Sequence, residues 1–229
     1  MRTTRSGKRE IRSRSLSLWV GVCGLGGWLL LSALILSGAT SGFDAAAATA
    51  EGTTLRHVID AVFPLVATLW SPELCLLYGA IGSLMLWRRG AGRWALAPLA
   101  FTLLVPLEVA LKLWVLRPEM PDLLKEWPGY PVANIPGLGG GSVLNGSAMR
   151  TGFLCALAAL LLWRRGGRAG RWASLGFLLL MLFTSFLRVY GRYHWLSNEL
   201  ASQLLGVALA VVVERLLDAE VIGLKRRTR

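Results

Sequence analysis

Six apolar stretches run through this 229-residue chain, at about 16–38, 71–87, 93–116, 147–163, 170–190 and 198–217. Each comes near the roughly 20 residues that an α-helix needs to cross about 30 Å of hydrocarbon. Because lipid satisfies no backbone hydrogen bond, such stretches must pair their own N–H and C=O groups, which a helix does. With 54% hydrophobic and only 17% charged residues, a single soluble domain is the poorer expectation. The expected fold is all-α: a polytopic membrane protein with a six-transmembrane-helix bundle over 16–217, flanked by basic tails at 1–15 and 218–229.

The cations order the connections. MRTTRSGKREIRSR at the start, RRGAGR at 88–93, RRGGRAGR at 164–171 and KRRTR at the end all fall on one side of a six-span bundle. Short cytoplasmic segments hold the excess of Lys and Arg, so both termini are predicted cytoplasmic. Segments 39–70, 117–146 and 191–197 then face the other side, with Trp70, Trp114 and Trp195 at the level of an interfacial aromatic belt. Topology accounts for most of the net charge of +12. No folded basic domain remains for nucleic acid, which is not an expected partner. Four arginine-rich segments fit a bacterial inner membrane. A basic start before AAAATA also suits a secretory signal, but the first apolar run exceeds the usual signal core of about 7–15 residues, which favours a retained anchor.

Cys23, Cys75 and Cys155 lie inside apolar spans and read as small buried hydrophobes. Their spacing suggests neither a metal site nor a disulfide framework, and no cofactor is expected. DAAAATAEG at 44–52 reads as a small-residue linker, and LRHVIDAVFPLVATLW at 55–70 as an amphipathic helix along the interface, with His57 an ordinary surface residue. Five prolines between 117 and 146 predict an irregular cap rather than a helix.

Charged groups within spans are costly and mark sites, pathways or buried pairs. Glu108 and Lys112, four apart near the end of the third span, share a helical face and are expected to pair. Arg188 ends the fifth span, His194 follows, and Asn198 and Glu199 open the sixth. Each has a plain explanation alone: a structural ion pair, a snorkelling arginine, a cap at Asn198. Arg150 reads as snorkelling from the fourth span, with Arg192 adding charge nearby. All of them, with the glycine-rich GSVLNGSAMR at 141–150, gather at the outer end. A transporter would place such groups near the midplane instead.

Lys112 with Arg117-Pro118, Gly146 in NGSAMR, and Arg188 with His194 in RVYGRYHWLSNELASQLLG resemble the three signature blocks of the type-2 phosphatidic acid phosphatase family. Those blocks have the forms K-x6-R-P, P-S-G-H and S-R-x5-H-x3-D. The resemblance covers about 55–217 and implies a six-helix core shared with vanadium haloperoxidases. It also implies roles: Lys112, Arg117 and Arg188 holding phosphate, Gly146 offering a backbone amide, and His194 attacking phosphorus.

All three blocks depart from the pattern. Ser147 stands where the family has its acid histidine and Asn145 where it has an anion-binding serine, while Asn198 replaces the aspartate that orients the nucleophile. In the first block Arg117-Pro118 comes two residues early, and Glu119 takes the arginine's place. A hydroxyl is too weak an acid to protonate a leaving alkoxide near pH 7, and general acid catalysis typically supplies about 10²–10⁴-fold. Losing the orienting carboxylate costs hydrolase triads about 10⁴. Glu199 is adjacent, yet one residue along a helix turns a side chain by roughly 100°.

Two readings follow. In the favoured one the chain is a degenerate, non-catalytic member that binds lipid phosphate or serves as a subunit of a membrane complex. In the other it is an extracytoplasmic lipid diphosphate phosphatase or phosphotransferase with His194 as nucleophile. A substrate such as an isoprenyl diphosphate loses a leaving group that departs already ionised and needs no acid.

Overall fold

Apolar runs free of internal turn signals become helices, and helices fill nearly all of the residues that the computed structural model describes, 3–49, 53–114, 144–165, 167–191 and 193–227. They are α1 (Thr3–Leu36), α2 (Ser41–Thr49), α3 (Thr53–Leu69), α4 (Pro72–Arg88), α5 (Leu96–Trp114), α6 (Gly146–Arg165), α7 (Gly167–Tyr190) and α8 (Leu196–Arg227). A single 3-10 turn, Gly92–Ala95, leads into α5. Among the described residues there is no strand.

Five segments are long and apolar enough to cross a membrane: Ser17–Leu36, Gly92–Lys112, Gly146–Arg164, Gly167–Tyr190 and Leu196–Leu217. His57–Leu69 and Pro72–Arg88, bent by 41° at their junction, make a sixth when counted as one broken span. The break has a local cause. Proline disfavours helical backbone at the residue before it, so Ser71 is extended (φ −63°, ψ 147°), and its Oγ accepts the Leu74 N–H at 3.3 Å as an N-cap. On α3, Ile59, Phe63 and Ala67 are buried and cluster with Leu187 and Tyr193, while Val58, Val62, Leu65 and Leu69 are exposed. The segment expected along the interface is therefore packed on α7 and shows further apolar side chains outward.

Polarity is distributed inside out. Leu18, Trp19, Val22, Leu29 and Leu30 on α1, with Leu179, Leu182 and Phe183 on α7, are exposed, whereas Glu108, Arg150, Arg188, Glu199 and Glu214 are buried. Water would favour the reverse; hydrocarbon favours this arrangement, and the protein is an integral membrane protein. Cys23 is exposed on α1, contrary to the burial expected of it, while Cys75 and Cys155 are buried. An outward position in lipid asks only that a side chain be apolar enough, which a thiol is.

α8 is the central post, packed by α6 on one side and α1 on another. Helices associate in lipid through small residues that let backbones approach. A Cβ at Gly206 would lie 2.2 Å from the Met149 carbonyl oxygen, and one at Gly152 would lie 2.7 Å from the Gln203 carbonyl oxygen. The two glycines thus fix the α6–α8 spacing, and Met149, Phe153 and Leu157 fill the core beside Leu205, Ala210 and Val213. At the arginine-rich end, Arg164 Nε meets the fully buried Glu214 at 2.5 Å and ties the end of α6 to α8. α8 continues to Arg227, ten residues past the expected end of the span at 217.

The predicted linker after the first span is partly helix. Gly38, at φ +77°, turns the chain out of α1. The alanine-rich run then forms α2, in keeping with alanine's helix propensity. Asp44 of α2 is buried, and its carboxylate accepts the Ser197 N–H at 2.8 Å and the Ser197 hydroxyl at 2.6 Å. It caps the start of α8 from another helix.

Candidate functional site

The end of α5, the start of α6, the end of α7 and the start of α8 meet at one end of the bundle, and most of the residues singled out from sequence lie there. Asn145 directly precedes α6, and its Oδ1 accepts the Ala148 N–H at 3.3 Å in the manner of an N-cap. The same oxygen accepts the Ser147 hydroxyl at 2.8 Å. Asn145 N–H donates to Ser202 Oγ at 2.7 Å and its Nδ2 to Glu199 Oε2 at 2.6 Å. The residue in the place of the anion-binding serine is thus a helix cap pinned to α8, and Ser147, in the place of the acid, spends its hydrogen on that cap.

Arg188 reaches from the last turn of α7 into the core. Its Nη1 donates to Glu199 Oε1 at 2.7 Å, and its Nη2 to Thr151 Oγ1 at 2.8 Å and the Ser147 carbonyl at 3.4 Å. Arg188 is 1% exposed and Glu199 0%. Glu199 also accepts from Ser185 Oγ at 2.8 Å and Gln203 Nε2 at 3.4 Å, and Gln203 hydrogen-bonds Ser185 in turn. A buried ion pair is tolerated only when its remaining hydrogen-bonding capacity is met, as here. Glu199, weighed from sequence as a stand-in for the orienting aspartate, is instead engaged by Arg188, Ser185, Gln203 and Asn145.

A second charged group lies beside the first turn of α6. The predicted pair forms: Lys112 Nζ is 2.8 Å from Glu108 Oε1. Arg150, expected to snorkel, is 2% exposed and pairs with the other oxygen of Glu108. Its Nε and Nη2 donate to the Trp70 carbonyl at 3.1 and 2.8 Å. That carbonyl lies in the break between α3 and α4, where terminal carbonyls lack intrahelical partners. Glu108 presses on Gly146 so closely that a Cβ there would fall 1.7 Å from the carboxyl carbon and 1.8 and 1.9 Å from its oxygens.

His194 follows α7 in a short closing turn, in which the Tyr193 and His194 N–H groups donate to the Arg188 carbonyl at 2.9 and 3.3 Å. Its side chain is half-buried. Burial, then the charges of Arg188 and Lys112, push its pKa down to about 3, so the imidazole is neutral near pH 7. Asn198 is buried in the first turn of α8, its Oδ1 3.5 Å from Ser197 Oγ, whose hydrogen goes to Asp44. Trp195, expected in an aromatic belt, is buried at 3% exposure, because the α7–α8 turn folds it inward against the bundle. Arg117, Arg192, the side chain of Trp114 and most of the expected cap lie outside the described residues.

An apolar cavity of about 300 Å³ opens nearby between α1 and α5, lined by Trp28, Leu29, Leu36, Leu111 and Leu144 among others. Leu111 and Leu144 directly precede Lys112 and Asn145 in the chain, but no charged residue among those described lines the cavity. Thr151, Ser185, Gln203 and Asp44 were passed over in the sequence. The signal available for the first three was a polar group in an apolar span.

Compared with family models, with curated proteins and with solved structures, the chain matches none.

Proposed function

We propose that this membrane protein is a non-catalytic relative of the type-2 phosphatidic acid phosphatases that binds a phosphorylated lipid at the end of its helical bundle. One observation carries the reading. Of the positions that the resemblance places in the site, three are engaged by another side chain: the phosphate-holding Arg188 by Glu199 and Lys112 by Glu108, and Ser147, in the acid's place, by Asn145. What persists is a cluster of cations beside a neutral imidazole, chemistry that suits holding an anion better than splitting an ester. The apolar cavity between α1 and α5 has room for part of the hydrocarbon chain of such a lipid. We place the site on the extracytoplasmic face of a bacterial inner membrane, with both termini cytoplasmic, because the arginine-rich connections lie at the opposite end.

The neutral state of His194 favours one competing reading, since only an unprotonated imidazole attacks phosphorus. Phosphate release from an isoprenyl diphosphate and from phosphatidic acid, with His194→Ala as the blank, decides between them. The proposal expects no release above the blank and retention of phosphatidic acid by native mass spectrometry. Release from the diphosphate that disappears in His194→Ala would make the protein an enzyme.

A further inference from the structure

Two connections at the arginine-rich end share one sequence. WRRGAGRWA at 87–95 leads from α4 into α5, and WRRGGRAGRWA at 163–173 leads from α6 into α7. The second repeats the first residue for residue once Gly167-Arg168 is removed. Each carries a glycine in the left-handed region, Gly90 at φ +72° and Gly167 at φ +76°, where the chain turns between helices. Each is framed by exposed tryptophans, Trp87 and Trp94 in one, Trp163 and Trp172 in the other, and every one of these has an arginine as its chain neighbour. Arg88 and Arg89 are exposed in the first connection, Arg168 and Arg171 in the second, and neither connection contains an acidic residue. Both meet α8: the 3-10 turn touches it, and Arg164 pairs with its Glu214. Orientation in a membrane needs only an excess of positive charge in such segments. It does not need the same order of Trp, Arg and Gly twice.

We infer that each connection is a clamp for the phosphate of an anionic phospholipid, so that the protein holds two such lipids at its arginine-rich end. A guanidinium matches a phosphate in shape as well as charge, through two parallel N–H···O bonds that an ammonium cannot form. Exposed indoles settle at the headgroup level of a bilayer, which is where lipid phosphates lie. Arg93 shows how the tryptophans serve, since its guanidinium sits over the Trp94 ring, 5.5 Å from the ring centre. An aromatic face holds a guanidinium in place while the N–H groups at its edge still point outward to donate. The difference between the two connections fits the same role. Arg164 is spent on Glu214, and the inserted Arg168 supplies an exposed cation in its stead. These clamps lie at the opposite end of the bundle from the site described above and share no residue with it.

The test uses the full chain in detergent, with phosphatidylglycerol as the anionic probe and phosphatidylcholine as the zwitterionic one, read by native mass spectrometry. Wild type is expected to keep two phosphatidylglycerol molecules under conditions that strip phosphatidylcholine. Replacing Arg88, Arg89 and Arg93 together by Gln should weaken retention of one of them about 100-fold and leave the other in place. Arg168→Gln with Arg171→Gln should remove the other. Replacing Arg88, Arg89 and Arg93 by Lys keeps the charge, and with it insertion and topology, so it reads the clamp whether or not the Gln variant folds. Retention should still fall by at least about threefold, because an ammonium loses the paired bonds and the seat on Trp94. Phosphatidylglycerol held no better than phosphatidylcholine overturns the inference. So does a Lys variant equal to wild type, which would mean that charge alone attracts the lipid. A folded Gln variant that still holds two lipids overturns it as well, by moving the binding elsewhere in the bundle.

Discussion

Arg188 and Glu199 meet at 2.7 Å with both side chains buried, one from the end of α7 and the other from the start of α8. Their sequence separation is 11, across a turn, so no helical periodicity links them. The pair decides how the candidate site is read, because the arginine that resembles a phosphate clamp already holds an anion of the protein's own. Ser185, Gln203, Asn145 and Thr151 complete the network.

Removing one partner should therefore be far worse than removing both. Arg188→Leu leaves the Glu199 carboxylate buried without its cation, and Glu199→Leu leaves the guanidinium likewise; each is expected to cost roughly 3–5 kcal/mol. The double variant with Leu at both positions should recover much of that loss, because no buried charge remains. Unfolding in detergent, run as a double-mutant cycle, measures this. Additive losses would show that the pair contributes no coupling.

A steric expectation concerns the α6–α8 crossing. At Gly206 a Cβ would meet backbone, the Met149 carbonyl oxygen at 2.2 Å and the Phe153 nitrogen at 2.7 Å, so neither obstacle can rotate away. Gly206→Ala must push the helices apart and is expected to cost about 1–3 kcal/mol or more. Gly26 on α1 has nothing within 4 Å of the same position. Gly26→Ala should be neutral or slightly stabilising, given alanine's advantage in helices of about 1 kcal/mol. Equal thermal stability of the two variants would refute close packing at Gly206.

The helices were legible because a bilayer demands long apolar runs, and the Glu108–Lys112 pair because four residues bring side chains onto one helical face. Other relationships left no comparable trace. Arg150 finds Glu108 across 42 residues and Trp70 across 80, and Asp44 reaches Ser197 across 153. Such partners depend on how helices are arranged around α8, which hydrophobic periodicity does not specify. Trp195 misled for the same reason: position near a span end suggested an aromatic belt, yet the turn after Tyr190 folds it inward. The place of Ser147 and Asn198 in the motif pattern was readable, but that Ser147 donates to Asn145 required coordinates.

Asp44 supplies a further test of that arrangement. Its carboxylate caps α8 through both the backbone and the hydroxyl of Ser197. Asp44→Ala should cost about 0.5–2 kcal/mol, the usual range for a lost helix cap. Asp44→Asn, which keeps one acceptor oxygen, should lose less. Hydrogen exchange in the first turn of α8 is expected to rise in the Ala variant while α6 stays protected. Unchanged exchange there would mean that the start of α8 is held by its other contacts.

The neutral imidazole of His194 makes an expectation about acid. Its pKa in the folded chain is about 3, against 6.5 for a free histidine. Because the folded value is depressed, the unfolded chain takes up the proton first. The stability associated with His194 is therefore fully present above about pH 6.5 and declines as pH falls toward 3, by up to about 1.4 kcal/mol per pH unit. His194→Gln, which does not titrate, removes that slope while leaving the acid response of the carboxylates in place. The difference in thermal midpoint between wild type and His194→Gln, followed from pH 8 to pH 4, should be flat above about 6.5 and turn against wild type below it. A difference that stays flat to pH 4 would mean that the imidazole is hydrated and not held neutral by burial beside Arg188 and Lys112.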